Sequence, residues 1–264
     1  QPKLLDKLLI SLKQQQFSEK KFTLIKNQLI SHWNNSDKSK SISQLFSTLS
    51  STMQPKKPNS ESLCDALSDI SLDDFLSFVS TIFDKVSLEL LIHGNWLMSD
   101  AMEITRYVEE AFTGAFHDKN RVEIGVLDNA SLGEKIIPLV LPEHDHATVI
   151  YYPMADKEIK TIAISMVLSQ LFSPHFFHEM RTEKQYGYLV GVGYVPVGYY
   201  PGIAMYIQSP HTSAIELTAA IDSFTENSAK LIGEMSEQEW HQLQKGLSSQ
   251  LQESDASLRI KSQR

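Results

Sequence analysis

The 264-residue sequence has a single cysteine, Cys64. That excludes an internal disulfide and a thiolate zinc cluster. Basic residues are the minority, with 24 Lys and Arg against 32 Asp and Glu and a net charge of -8. A phosphate-binding surface needs basic clusters, so nucleic-acid partners are not expected. No apolar run approaches the ~18 residues of a membrane span, and a membrane partner is not expected either. A G-x-S-x-G elbow, a P-loop and a dinucleotide fingerprint are all missing. So is H-x-x-E-H, the helical zinc motif in which two imidazoles sit around a free carboxylate base. The chain opens Gln1-Pro2-Lys3, without an initiator Met or a signal-peptide pattern. It reads as a piece of a longer polypeptide, so the absence of a leader says nothing about the parent.

What is present is a globular balance of 42% hydrophobic and 21% charged residues. Residues 1–86 read as helices with polar joints. Ser18 caps a stretch with Phe22, Leu24, Ile25, Leu29 and Ile30 on one face, and Ser71 with Asp74 forms a capping-box pattern. Cys64, among Leu63, Leu67 and Ile70, reads as a small buried hydrophobe rather than a nucleophile. Leu88–Ile92 reads as a buried strand and Asp100–Phe112 as a helix. One strand cannot form a sheet, so its neighbours are expected outside this region.

From about residue 120 the pattern changes. Val122–Val126, Glu134–Leu141 and Thr148–Tyr152 read as strands, followed by a helix over Asp156–Leu171. Pro174 should interrupt that helix, with a second one running to about Gln185. Tyr188–Tyr194 and Ile203–Ile207 alternate as two strands joined by the loop 196–201, and helices follow over Thr212–Met235 and Glu237–Gln252. The order predicts an α+β fold.

Three groups could carry chemistry. His175, His178 and Glu179 share a helix face, but Glu and the second His stand in the wrong order for an inverted zinc motif. A solvated polar face is the plainer reading. His144-Asp145-His146 could place two imidazoles on one side of a strand, without a third ligand nearby. The third group is Arg181-Thr182-Glu183-Lys184-Gln185-Tyr186-Gly187-Tyr188-Leu189-Val190. It places a guanidinium near a helix end, Gly187 at the joint and a phenol at the start of a strand. Such an Arg and Tyr can donate hydrogen bonds to one developing oxyanion, or can simply be an ion-paired Arg and a packed Tyr.

This last stretch resembles the R-T-x-x-Q-L-G-Y-x-V motif of the pitrilysin and insulin-degrading-enzyme (insulinase) family of zinc metallopeptidases, and within it bacterial protease III-like members. Arg181, Thr182, Gln185, Gly187, Tyr188 and Val190 match, whereas Tyr186 stands where Leu is usual. Pro174, Phe176, Ile207-Gln208-Ser209 and Met235-Ser236-Glu237 fall where the family has similar residues, and Leu72–Gly94 resembles its preceding domain. His178-Glu179 stands where uncharged polar residues are usual, which favours the solvated reading of those side chains.

The resemblance implies layered antiparallel sheets covered by helices, four such domains enclosing a chamber, and zinc held by the first. Residues 1–115 then correspond to the later part of the third domain. Residues 120–264 correspond to the fourth, lacking its final helices and strand. The implied catalytic residues are Arg181 and Tyr188, which with Phe177 also bind substrate. The implied partners are peptide substrates and the N-terminal half of the same enzyme. Zinc is expected in the parent and not in this chain, which alone should not cut peptides. A periplasmic location is implied, with a cytoplasmic one left open. A non-catalytic structural or regulatory subunit with the same fold is the alternative, and a stand-alone metal-binding protein through His175 and His178 ranks last.

Overall fold

A computed structural model describes residues 2–13, 16–36, 40–115, 125–127, 133–140, 145–253 and 257–263. The helices are α1 (Pro2–Lys13), α2 (Glu19–Ser36), α3 (Ser41–Met53), α4 (Ser60–Asp69), α5 (Leu72–Thr81), α6 (Met98–Ala111), α7 (Ile159–Phe177), α8 (Ala214–Gly233), α9 (Glu237–Gln252) and α10 (Leu258–Gln263). The strands are β1 (His146–Pro153), β2 (Leu189–Tyr194) and β3 (Gly202–Ser209). The α+β expectation holds: the chain is rich in helices and has a small antiparallel sheet of order β1-β3-β2. No helix among the described residues is long and apolar enough to cross a membrane.

The chain divides into two compact units. One comprises residues 1–31, 64–122 and 254–264, the other 32–63 and 123–253. Residues 32–63 group with the later unit because α3 packs on β1 and β3.

In the first unit helices meet through aromatic contacts. Phe75 lies 4.9 Å from Phe17 and 5.4 Å from Phe22, and Phe83 lies 5.6 Å from Phe112. The Lys26 ammonium donates to the carbonyls of Ser68 and Ile70, both at 2.8 Å, where cationic charge suits the end of α4. Ser71 and Asp74 form the expected capping box opening α5. Leu88–Ile92 is not a strand, and Leu91 is 77% exposed. Apolar, β-prone composition alone does not make a strand, which needs ladder partners for its backbone groups. The same holds for 133–140, also not a strand, where Val140 is fully exposed. The remaining strand expectation, Val122–Val126, lies mostly outside the described residues, and 125–126 are not in a strand.

In the second unit β3 is central, paired with β1 from His146↔Ser209 to Pro153↔Gly202 and with β2 from Leu189↔Gln208 to Tyr194↔Ile203. The β2–β3 turn is tight. Gly198 and Tyr199 have φ of 55° and 72°, and Val197 bridges Tyr200. Two left-handed central residues match the right-handed twist of a hairpin. Ile203, Met205 and Ile207 join Val190 and Val192 against Phe172, Phe176, Leu217, Ile221 and Phe224 of α7 and α8, forming the main core. On the other face of β3, Tyr206 packs 5.5 Å from Phe46 of α3. Covered on both faces, β3 is buried almost throughout. Gly191 lies opposite Tyr206, where an added Cβ would come within 2.5 Å of its hydroxyl, so close packing explains this glycine.

Candidate active site

Pro174 does not interrupt its helix: α7 runs through it to Phe177 and passes directly into a π-helical segment, His178–Glu183. A proline removes one donor and crowds the preceding turn, but α7 is anchored on both sides of it by buried Phe172 and Phe176. The wider turn shows in the Lys184 N–H donating to the Glu179 carbonyl at 2.9 Å. Such segments recur at functional sites. The helical stretch ends at Gln185, whose φ of 52° makes it the left-handed residue, and the Tyr186 N–H donates back to the Met180 carbonyl at 2.9 Å. The turning residue is therefore Gln185 and not Gly187. Gly187 is required for another reason: a Cβ there would lie 2.0 Å from the Gln208 carbonyl oxygen.

This joint brings together the three residues singled out in the sequence. Phe177 ends α7 and is 43% exposed, and Tyr188, just before β2, is 44% exposed. The Arg181 guanidinium lies 5.3 Å from the Phe177 ring centroid and donates to the Tyr188 carbonyl at 2.5 Å. The Tyr188 hydroxyl donates to Asp145 Oδ2 at 2.7 Å and accepts from Gln208 Nε2 at 2.8 Å. Gln208 Nε2 also reaches Asp145 Oδ2 at 3.0 Å. Behind them the Ile42 N–H donates to Gln208 Oε1 at 3.2 Å, and the Ser41 hydroxyl to the Asp145 carbonyl at 3.2 Å.

Sequence reasoning missed Gln208 and Asp145 as members of this cluster. The signal for Gln208 was a lone amide in the apolar strand run Ile203–Ile207, fully buried in the structure. A buried amide must have partners. Asp145 offered no such signal, because its contacts join four segments far apart in sequence.

The Arg181 guanidinium, with five donors, thus lies against the Phe177 ring and the Tyr188 main chain, while the Tyr188 phenol, with one donor, is turned to Asp145 and Gln208. These side chains can grip an extended carbonyl-bearing chain and donate to an oxygen that gains negative charge.

The described histidines of the two clusters are engaged or exposed singly. His178 Nε2 lies 3.2 Å from Glu183 Oε1, and Glu179 pairs with Lys184. His146 is exposed in β1 and His144 lies outside the described residues. Cys64 is buried, its thiol donating to the Ile30 carbonyl at 3.7 Å. Among the described residues no group of three or more His, Cys, Asp or Glu is placed to hold a metal ion.

Comparison with known proteins gives a consistent placement. Residues 167–264 match the family model described as PQQ synthase PqqF-like, C-terminal lobe domain 4. The chain is 23% identical over 207 residues to a nardilysin-like protein of Arabidopsis thaliana, covering 76% of this chain and 20% of that protein. It is 24% identical over 247 residues to the insulin-degrading enzyme of Homo sapiens, covering 90% of this chain and 24% of the enzyme. The crystal structure of pitrilysin superimposes with a TM-score of 0.82 at 19% identity, over 99% of this chain and 28% of that one. The chain thus spans about a quarter or less of the length of these curated relatives. The domain-4 match, the near-complete superposition and the Arg181–Tyr188 motif together support placing the chain with part of the C-terminal half of the pitrilysin/insulinase family.

Proposed function

We propose that this chain is the substrate-gripping, charge-stabilising portion of a zinc endopeptidase that degrades peptides in an enclosed chamber. The observation that carries this reading is that Arg181 touches both the Phe177 ring and the Tyr188 main chain, across a helix end, a turn and a strand start, with Phe177 and Tyr188 both partly exposed. Attack on a peptide carbonyl places negative charge on its oxygen. In this role the Tyr188 hydroxyl donates to that oxygen and Arg181 shares its charge, while also holding the substrate backbone in the ground state. Phe177 forms an apolar wall for the side chain beyond the cleaved bond. The zinc, its ligands and the general base belong to another part of the protein, and this chain by itself has no activity.

The reading is supported by the family's peptidases and by the presence of both donors, which a purely structural subunit does not need. The test is steady-state cleavage of a quenched peptide by the full-length protein. Tyr188→Phe deletes one hydroxyl and should lower kcat by ~10²–10³ with KM moving less. Arg181→Ala should lower kcat and raise KM, because a ground-state contact is lost as well. Zinc content and thermal melting should stay at wild-type values in both. A wild-type kcat for Tyr188→Phe would reduce Tyr188 to a packed residue and remove the proposal.

A further inference from the structure

A phenol has one proton to give. In this structure the Tyr188 proton is directed at Asp145 Oδ2, 2.7 Å away, and the phenolic oxygen is held by Gln208 Nε2 at 2.8 Å. The Gln208 amide has no freedom to turn. Its oxygen accepts from the Ile42 N–H in the first turn of α3, its nitrogen also donates to Asp145 Oδ2, and the residue has no solvent exposure. Lys40, the N-cap of α3, makes no side-chain cap, so Gln208 supplies the partner that a capping side chain would otherwise provide. Turning the amide over would set its oxygen against a carboxylate oxygen and its N–H groups against the helix donor. Tyr188 is thus fixed at its oxygen by a buried group, while its proton rests on a partly exposed one.

The geometry points to Gln208 as the positioning residue for the Tyr188 phenol, with Asp145 as the resting acceptor that the substrate oxygen displaces. This rests on the assignment of Tyr188 above and adds to it a division of labour. Gln208 keeps the phenolic oxygen in place whether the proton points to Asp145 or to substrate, so its contribution persists into the reacting complex. Asp145 holds the proton only in the empty site, so its carboxylate competes with substrate for the same donor. No proton is transferred in this exchange; one hydrogen bond is traded for another.

The experiment is a pair of mutant cycles in the full-length enzyme, read as kcat and KM on a quenched peptide. Gln208→Met keeps the volume and removes both N–H donors. It should lower kcat by about tenfold with KM nearly unchanged, and should cause no further loss in a Tyr188→Phe background. Asp145→Ala should lower KM by about threefold when Tyr188 is present and leave it unchanged in Tyr188→Phe. A merely structural role for Gln208 would lower kcat equally in both backgrounds, and that result overturns the inference, as does a wild-type kcat for Gln208→Met. Should Gln208→Met fail to fold, the Asp145 cycle decides, since Asp145 lies outside the buried core. An unchanged KM, or an equal change with and without the hydroxyl, then overturns it. If Tyr188→Phe itself retains wild-type kcat, the assignment of Tyr188 fails and this inference falls with it. If Tyr188→Phe is impaired and the cycles show no coupling, this inference alone is lost.

Discussion

The two compact units differ in how deeply their largest apolar side chains are buried. In the unit holding residues 64–122, Phe78, Leu91, Leu97, Met98 and Met102 are all more than 60% exposed. In the unit holding the sheet, Phe176, Met180, Ile207, Leu217 and Ile221 have no exposure at all. Helix periodicity is present in both. Among the described residues only the second unit has a paired sheet, whose continuous surface lets α7, α8 and α3 each bury a face. Periodicity announces an apolar stripe, but burial requires something flat to lay it against. The candidate site sits in the well-packed unit, where rigid surroundings can hold donors in place.

This contrast can be broken in several ways. The widest expected difference is in amide exchange, because local opening free energies run from near zero up to the global stability. The β2–β3 hairpin should exchange slowly and Leu88–Ile92 fast. Equal protection of the two segments would remove the contrast. Single substitutions sharpen it. Phe176→Ala deletes a ring that packs 5.0 Å from Phe224 and should cost about 3–5 kcal/mol in denaturant unfolding. Phe78→Ala, at 63% exposure, should change stability by less than about 0.5 kcal/mol. Gly187→Ala drives a Cβ into the backbone carbonyl of Gln208 and should cost about 1–3 kcal/mol, with loss of the Arg181–Tyr188 geometry. Gly193→Ala, with open space around it, should escape that steric penalty.

The smallest effects are at the helix caps. Ser236→Ala and Ser213→Ala should each cost about 1 kcal/mol, since each serine caps its helix reciprocally with a glutamate. The Glu216 carboxyl is held below its ordinary value by the Ser213 hydroxyl and backbone N–H, and Glu239 by the backbone N–H and hydroxyl of Ser236. A carboxylate depressed in the folded state stabilises above its ordinary pKa, here 4.5, and that contribution fades as pH falls through the lowered value. Melting temperature should therefore decline on acidification below about pH 4.5. Glu216→Gln and Glu239→Gln should each flatten that decline. An unchanged acid limb would show that these caps contribute nothing.

The fold class, the hairpin, the capping boxes and the meeting of Phe177, Arg181 and Tyr188 were legible in the sequence. Each depends on local periodicity, on short-range chemistry or on a motif confined to a few residues. Leu88–Ile92 and Glu134–Leu141 were read as strands because composition reports β-propensity and cannot report a partner. Pro174 was read as a break because its local cost is certain, whereas the packing of Phe172 and Phe176 that overrides it is tertiary. Gln185 was overlooked as the left-handed residue because Gly187 stood two positions on, and glycine is the usual choice. Asp145 and Gln208 were beyond reach in a stricter sense. Their roles exist only once α3, β1, β3 and the start of β2 come together.

The central claim is that Arg181 and Tyr188 act on the same reacting group. The most direct measurement is kcat of the full-length enzyme carrying Arg181→Ala, Tyr188→Phe and both, at equal zinc content. Two donors to one oxygen, joined through the Arg181 bond to the Tyr188 carbonyl, share their work. The double mutant should therefore lose clearly less than the product of the two single losses. A loss equal to that product, or a single mutant with wild-type kcat, would contradict the account.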